Sequence, residues 1–239
     1  DWRNYQGRSY IGTPRNQGSC GSCYSFGANA CAEGTYNYAL GKYYKTTGDT
    51  TDHRADFSES YIIWCLATLP AYSAHFGGCD GADYDYAELT ALCNTGVGNE
   101  SDFPYVESDP GCTHWGDQTT MFKDWYRVTC LDIDGIKTAI MYFGVVDVAI
   151  NAEAAFDSYD GGIFEDTQTT CTGSPCEDTT TNHAVSLVGW VDGTDTPHWF
   201  LRNSWGTSWG EAGYMRCAYT AQRVACSASY LVYGAPIVN

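Results

Sequence analysis

The sequence predicts an α+β chain in which a mostly helical part precedes a β-rich part, rather than the two alternating. Two observations define the first part: a run of good helix formers after Cys23 that closes on Gly41, and a second helix start at Ser58. A third defines the rest. Beyond about residue 107, alternating and β-branched runs such as Trp125-Tyr126-Arg127-Val128 and Val145-Val146-Asp147-Val148-Ala149-Ile150 read as strands. The 239 residues show no internal repeat and no long linker, so they are read as one domain, 1–239, with ample length for a core.

Taken in order, residues 1–15 read as an extended arm with turns at Gly7 and Gly12. In Gln17-Gly18-Ser19-Cys20-Gly21-Ser22-Cys23-Tyr24-Ser25-Phe26, two cysteines stand among glycine and serine just before a helical run. Cys23 therefore falls at or near the first turn of a helix that reaches Leu40, with Gly41 as the left-handed residue that ends it. Unpaired amide N–H groups and the helix dipole favour an anion there, so a Cys23 thiolate is stabilised before any partner is considered. By spacing alone the cysteine pair also fits a redox couple, half a zinc site or ordinary disulfide partners. Ser58 is placed to cap a helix through residues 61–66, and residues 86–92 form a short helix. Asn99-Glu100-Ser101 is a glycosylation sequon on a loop, with Asn99 the acceptor in a glycosylating host. One helix, near residues 133–143, interrupts the strands. Residues 165–181, rich in Thr, Ser, Gly and Cys, read as a stapled surface loop.

Composition narrows the function. With 29 Asp+Glu against 12 Lys+Arg the formal charge is −17, which leaves no basic patch for a nucleic acid or an anionic membrane. No run approaches the ~18 apolar residues of a membrane span. Twelve cysteines point to an oxidising, extracytoplasmic setting, secreted or lysosomal/vacuolar. If Cys23 is a free nucleophile, eleven remain, so at least one more is unpaired or modified. No pair of CxxC motifs and no His-pair spacing suggests a metal, and no cofactor is expected.

The signature Cys-Gly-Ser-Cys-aromatic at residues 20–24 is more specific than CxxC, because it marks a nucleophilic cysteine with His and Asn far downstream. Both follow in order: Thr181-Asn182-His183-Ala184-Val185-Ser186-Leu187-Val188-Gly189-Trp190, then Arg202-Asn203-Ser204-Trp205-Gly206-Thr207-Ser208-Trp209-Gly210-Glu211. The chain resembles the papain-like cysteine proteases, from Asp1-Trp2-Arg3 to the region of Tyr230. The resemblance implies a two-lobe fold, a mostly helical left lobe (about 8–106) and an antiparallel β-barrel-like right lobe (107–239 with the arm), the active-site cleft lying between. It also implies a start at the mature region, with neither signal peptide nor propeptide present and an inhibitory propeptide removed on activation.

The same resemblance assigns roles. Cys23 would attack the peptide carbonyl, and His183, as imidazolium, would lower the thiol pKa and protonate the leaving amine. Among His53, His75, His114, His183 and His198, only His183 opens an Asn-His-Ala-Val run with Asn203 downstream. His198 reads as structural or exposed and His75 as a surface-loop residue. Asn203 would orient the imidazole, Trp205 would roof their hydrogen bond, and Gln17 would aim an amide at the oxyanion. Gly77-Gly78-Cys79-Asp80-Gly81-Ala82 resembles the groove wall that pairs with an extended substrate, making Gly81, Ala82 and Asp83, with Asn182 and Ala184 opposite, the substrate-binding candidates. Ala82 stands where relatives usually carry glycine. Asp83 and Asp85 replace an apolar rim, which hints at basic or polar P2 side chains, and either Ser227 or Leu231 would floor the pocket. The segment at residues 69–76 is an insertion relative to the family.

Two bridges are implied, Cys20–Cys79 and Cys65–Cys112. For the third, Cys176 or Cys171 could meet Cys226 or Cys217, and Cys176–Cys226 is taken. Cys31, Cys93 and Cys130 receive no partner. Expected partners are extended polypeptide substrates, an N-terminal propeptide and cystatin-like inhibitors, with the chain a monomer. The expected activity is endopeptidase. Tyr24, where many endopeptidases carry Trp, resembles the dipeptidyl-peptidase branch, but the extra groove-blocking domain of that branch is not seen in these residues. A catalytically dead binding protein of the same fold is the other rival, and Cys23, His183, Asn203 and Gln17 together argue against it.

Overall fold

The computed structural model describes residues 1–45, 47–48, 50–83, 87–114, 116–171 and 180–234. Its spine is helix α1 (Cys23–Leu40), buried almost all round because residues from Tyr24 to Thr35 are shielded on every side. Gly41, at φ 61°, ends it as the sequence predicts. Two of its residues are glycine for want of room. A Cβ on Gly27 would lie 2.5 Å from Asp147 Oδ1, and one on Gly34 would overlap the Val145 side chain. The β-rich part thus presses on one face of α1 at two levels.

Two hydrophobic cores flank this helix. One gathers Ala28, Cys31 and Ala32 of α1 with Phe57, Tyr61, Ile62, Leu66, Leu89 and Leu92, and Phe122 and Leu231 join it from later in the chain. Here lies α2 (Ala87–Asn94). The expected helix after Ser58 begins with the Ser58 hydroxyl accepting from the Tyr61 N–H at 3.0 Å. It then widens into a π-helical turn, Tyr61–Cys65, and tightens into a 3₁₀ turn, Leu66–Thr68.

The other core lies around a sheet of seven strands among the described residues. In chain order these are β3 (Asp124–Arg127), β4 (Val146–Ile150), β5 (Ile163–Phe164), β6 (His183–Val191), β7 (His198–Arg202), β8 (Tyr214–Ala218) and β9 (Ala228–Val232). Their spatial order is β3-β9-β4-β6-β7-β8-β5. All neighbours are antiparallel except β5 and β8, a parallel pair the sequence did not suggest. Strand β4 is buried throughout, and it is apolar except for the buried Asp147. Helix α3 (Ile133–Phe143), capped by Asp132 accepting from the Gly135 N–H, packs Ile136 and Ile140 into this core. A short α4 (Ala154–Asp157) follows β4.

The arm ties the two parts together. Trp2 donates from its backbone to Val188 O at 2.9 Å and from its ring to Ile140 O at 3.0 Å. Further along, β1 (Arg8–Ser9) pairs with β2 (Tyr44–Lys45), just past α1.

Disulfides join Cys20 to Cys79 and Cys65 to Cys112. The third expected bridge is corrected: Cys226 pairs with Cys171, not Cys176, which lies outside the described residues together with Asp85. The reason is a clamp that spacing could not reveal. Asp166 accepts from the Gln222 N–H at 3.0 Å and Gln168 O accepts from the Arg223 N–H at 2.9 Å, which brings residue 171 to 226. Cys130 is disulfide-bonded as well, and Cys31, Cys93 and Cys217 are free thiols alongside Cys23. No helix among the described residues is long and apolar enough to cross a membrane.

Candidate active site

Cys23 is the first residue of α1, and the Ser22 side chain does not cap that terminus. The Ser22 hydroxyl instead meets the Tyr105 hydroxyl at 2.9 Å, and Tyr105 donates to Gln17 O at 2.7 Å. The Ser25 and Phe26 N–H groups turn to Ser22 O at 2.9 and 3.4 Å, so the Cys23 and Tyr24 N–H groups are the ones placed to meet negative charge that forms at Cys23.

His183 opens β6, opposite Ile150 of β4. The close approach at Gly27 brings this strand to Cys23. A Gly27 Cβ would lie 3.3 Å from Ala184 Cβ, and the Ser186 hydroxyl donates to Gly27 O at 3.3 Å. The strand that His183 opens is thus held against the first turns of α1 by the residues next to it in sequence. Its Nε2 lies 2.8 Å from Asn203 Oδ1, which also accepts from the Ser204 N–H at 2.8 Å. An amide oxygen only accepts, so Nε2 carries the proton and Nδ1 remains as the basic nitrogen. Asn203 reaches this place because β7 ends at Arg202.

Trp205 stacks on the His183 ring at 4.9 Å. Phe156 meets both rings edge-on, at 5.8 and 5.3 Å, and Trp209 packs against Trp205 at 5.5 Å. Gln17 is buried, donating from Nε2 to Cys20 O at 2.8 Å while its Oε1 accepts from the Ser204 hydroxyl at 2.6 Å. Ser204, Phe156 and Trp209 are the residues the sequence reading passed over. The Trp205/Trp209 spacing within the Asn203 motif was the available signal.

The groove-wall candidates form a small hairpin. Phe76 bridges Ala82, Gly77 N–H donates to Gly81 O at 2.8 Å, and Asp83 N–H donates to His75 O at 2.9 Å. It is pinned beside the nucleophile by the Cys20–Cys79 bridge, by Gly21 N–H donating to Cys79 O at 2.9 Å, and by the Tyr24 hydroxyl on Gly78 O at 2.9 Å. A Cβ on Gly21 would lie 2.5 Å from Cys79 O, so only glycine permits this contact. The inserted stretch supports the hairpin, since Phe76 stacks between Tyr24 and Tyr72 at 5.6 and 5.8 Å. His75 lies in the turn of this stretch, its ring 3.6 Å from the Asp83 carboxylate. On the facing side Asn182 clamps Ala152 through both ends of its amide, at 2.8 and 2.9 Å. His198 is buried, with Nδ1 on Thr196 O at 2.9 Å. Asn99 is half-buried, donating to Asp102 at 3.0 Å and accepting from Thr119.

Burial dominates the electrostatics. It pushes the Cys23 thiol up, with Glu88 and Asp147 adding to the rise and the Ala184 and Tyr24 N–H groups opposing it. It pushes His183 down to about 4, against the hydrogen bond to Asn203 and the attraction of Asp157. Each group alone thus prefers to be neutral, and a thiolate–imidazolium pair forms only through mutual attraction aided by the helix terminus. Among the described residues no cluster of three or more His, Cys, Asp and Glu is placed to hold a metal.

A sequence profile of the papain family cysteine proteases matches residues 1–235. The chain belongs to this family. Among papain-family relatives, cysteine proteinase 3 of Entamoeba histolytica is 33% identical over 91% of this chain and 61% of its own. A cathepsin L-like protein of Caenorhabditis elegans is 32% identical, over 96% of this chain and 62% of its own. The chain spans only about 54–62% of the length of such relatives. Among solved structures, digestive procathepsin L 3 of Tenebrio molitor larval midgut matches with a TM-score of 0.79 and 28% identity, covering 97% of this chain and 68% of its own. The bromelain protease of Ananas comosus, solved with the E64 inhibitor, gives 0.76 and 26%, covering 98% of each chain. The fold is the papain-like α+β fold.

Proposed function

We propose that this chain is a cysteine endopeptidase that acts through a Cys23 thiolate and a His183 imidazolium. One observation carries the proposal: Asn203 fixes the His183 tautomer with its basic Nδ1 free, on a strand that Ser186 ties to Gly27 of the helix that Cys23 opens. The sulfur attacks the peptide carbonyl, and the tetrahedral oxygen takes the Cys23 N–H and the second hydrogen of the Gln17 amide. His183 then gives its proton to the departing amine, leaving a thioester that water hydrolyses. Asn203 holds the ring, and Trp205 with Phe156 and Trp209 keeps water from that hydrogen bond. The two cores are the two lobes of a single catalytic unit, with the cleft at the N-terminus of α1. An extended polypeptide lies along Gly81, Ala82 and Asp83 on one side and Asn182 and Ala184 on the other. A propeptide, inhibition by cystatin-like proteins, a monomeric state and a secreted or lysosomal location belong to the same proposal.

The test is labelling with an epoxide inhibitor selective for papain-like thiolates, followed by peptide mass spectrometry, together with internally quenched peptides as substrates. A single adduct on Cys23 with loss of mid-chain cleavage is expected. Cleavage confined to two-residue units from the peptide N-terminus makes the chain an exopeptidase. Absence of any adduct on folded, reduced protein makes it a binding protein.

A further inference from the structure

Asn203 engages only one end of its amide in the site. Oδ1 meets His183 Nε2 and accepts from the Ser204 N–H, both at 2.8 Å. Nδ2 is buried and meets no acceptor among the described residues. The amide cannot be turned over to relieve this, for Nδ2 would then face the Ser204 N–H, donor against donor. A buried donor without an acceptor is costly and rare, and ordered water is the usual partner where protein groups supply none.

The room for such a water lies beside it. Where α1 packs against β6 and the end of β7, a cavity of about 10 Å³ is lined by Asn203 with Arg15, Glu59, Ser186, Arg202 and Ser204. That is close to the space a single water molecule needs. The polar walls differ in what they can accept. Arg15 and Arg202 only donate. The Ser186 and Ser204 hydroxyl hydrogens go to Gly27 O and Gln17 Oε1. Glu59 is 3% exposed and accepts from Arg15 Nη1 through Oε2 at 3.1 Å. A carboxyl group has capacity for further bonds, and one of its oxygens accepts whether or not it carries a proton.

We propose that this cavity binds one water molecule, which accepts from Asn203 Nδ2 and donates to the Glu59 carboxyl. An N–H of Arg15 or Arg202 completes its shell. Glu59 is then a positioning residue, acting on His183 through the water and Asn203 without touching substrate. With both ends of the amide engaged, Asn203 holds the imidazole at a single orientation. The effect on rate rests on the cysteine-peptidase reading, whereas the water site itself does not.

The test uses the full chain, labelled with nitrogen-15. Rotating-frame cross-relaxation between water and the Asn203 side-chain amide, assigned by its loss in Asn203→Asp, should show a long-lived contact opposite in sign to proton exchange. Ala30 also lines the cavity, from α1. Ala30→Val fills the space and should abolish the contact, lower kcat about tenfold at unchanged KM, and move the alkaline limb of the pH–rate profile to lower pH. Ala30→Thr has the same shape with a hydroxyl oxygen, and should recover most of kcat. Glu59→Gln keeps an acceptor and should keep the water contact, which Glu59→Leu should lose. Absence of the contact in the folded parent overturns the proposal whatever the activity. Equal loss of kcat in Ala30→Val and Ala30→Thr overturns the positioning role, since packing alone would then explain it. A water contact in a chain that takes no epoxide label on Cys23 upholds the water site and overturns the peptidase reading.

Discussion

The Ser204 hydroxyl donates to the Gln17 side-chain oxygen at 2.6 Å, and the Gln17 N–H donates to Ser204 O at 2.8 Å, across 187 positions of chain. The loop before Cys23 and the turn carrying Asn203 are therefore one unit. With its oxygen engaged, the Gln17 amide cannot flip, and its N–H groups keep their direction. Ser204→Ala should lower kcat about ten- to a hundred-fold with little change in KM, because a misdirected oxyanion donor costs transition-state stabilisation alone. An equal rise in KM without loss of kcat would place Ser204 in substrate binding instead.

The reactive form needs His183 protonated and Cys23 deprotonated, whereas burial drives His183 down to about 4 and Cys23 up. Activity should therefore fall on both sides of an optimum below neutral, and full activity above pH 9 would contradict the pair. The Asn203 hydrogen bond raises His183, so Asn203→Ala should move the alkaline limb to lower pH. It should also lower kcat/KM by roughly a hundred-fold. A pH–rate profile reads both.

Glu33 is buried on α1, accepting from the Phe57 N–H at 3.0 Å, 3.6 Å from Arg202, and its carboxyl is raised to about 7 mainly by burial. A folded pKa above the ordinary value of 4.5 means that its favourable contribution is complete below pH 4.5 and is lost as pH rises through 7. Melting temperature should therefore decline between those limits, and Glu33→Gln should flatten the decline. A parent curve that is flat there would refute the assignment.

Gly27 is the contact between α1 and β6. Gly27→Ala should destabilise the protein by about 1–3 kcal/mol, since the new methyl meets Asp147 Oδ1 at 2.5 Å. Molecules that remain folded should also lose activity, because the same methyl pushes the His183 strand away from Cys23. Unfolding curves together with active-site titration separate the two effects.

Non-reducing peptide mapping should recover Cys171 linked to Cys226. Cys171→Ser should cost ~2–4 kcal/mol of stability, for a bridge that closes 55 residues.

Much of the site was legible in the chain itself. The placement of Cys23 at a helix start followed from a helical run beginning after glycine and serine, and Gly41 marked the end of that helix. The strand carrying His183 and the motif around Asn203 were visible as local patterns, because the contacts that shape them lie within a few residues. Residue 58 could be recognised as a cap by the same local logic, but not the π-helical turn after it, which depends on packing in the first core.

What only the tertiary structure decided are the relations between segments distant in sequence. The partner of Cys226 hung on hydrogen bonds joining residues 166–168 to 222–223. The work of Ser204, Phe156 and Trp209 depended on where β7 ends relative to Gln17 and α4. Arg8 and Lys45 look like isolated surface charges until the strand pairing sets them face to face. The sequence alone determined which groups are proposed to do the chemistry, because helix starts, caps and short motifs are matters of local sterics and hydrogen bonding. Their mutual approach was decided by the close packing of α1 against the sheet, where Gly27 and Gly34 leave room for little more than a hydrogen atom.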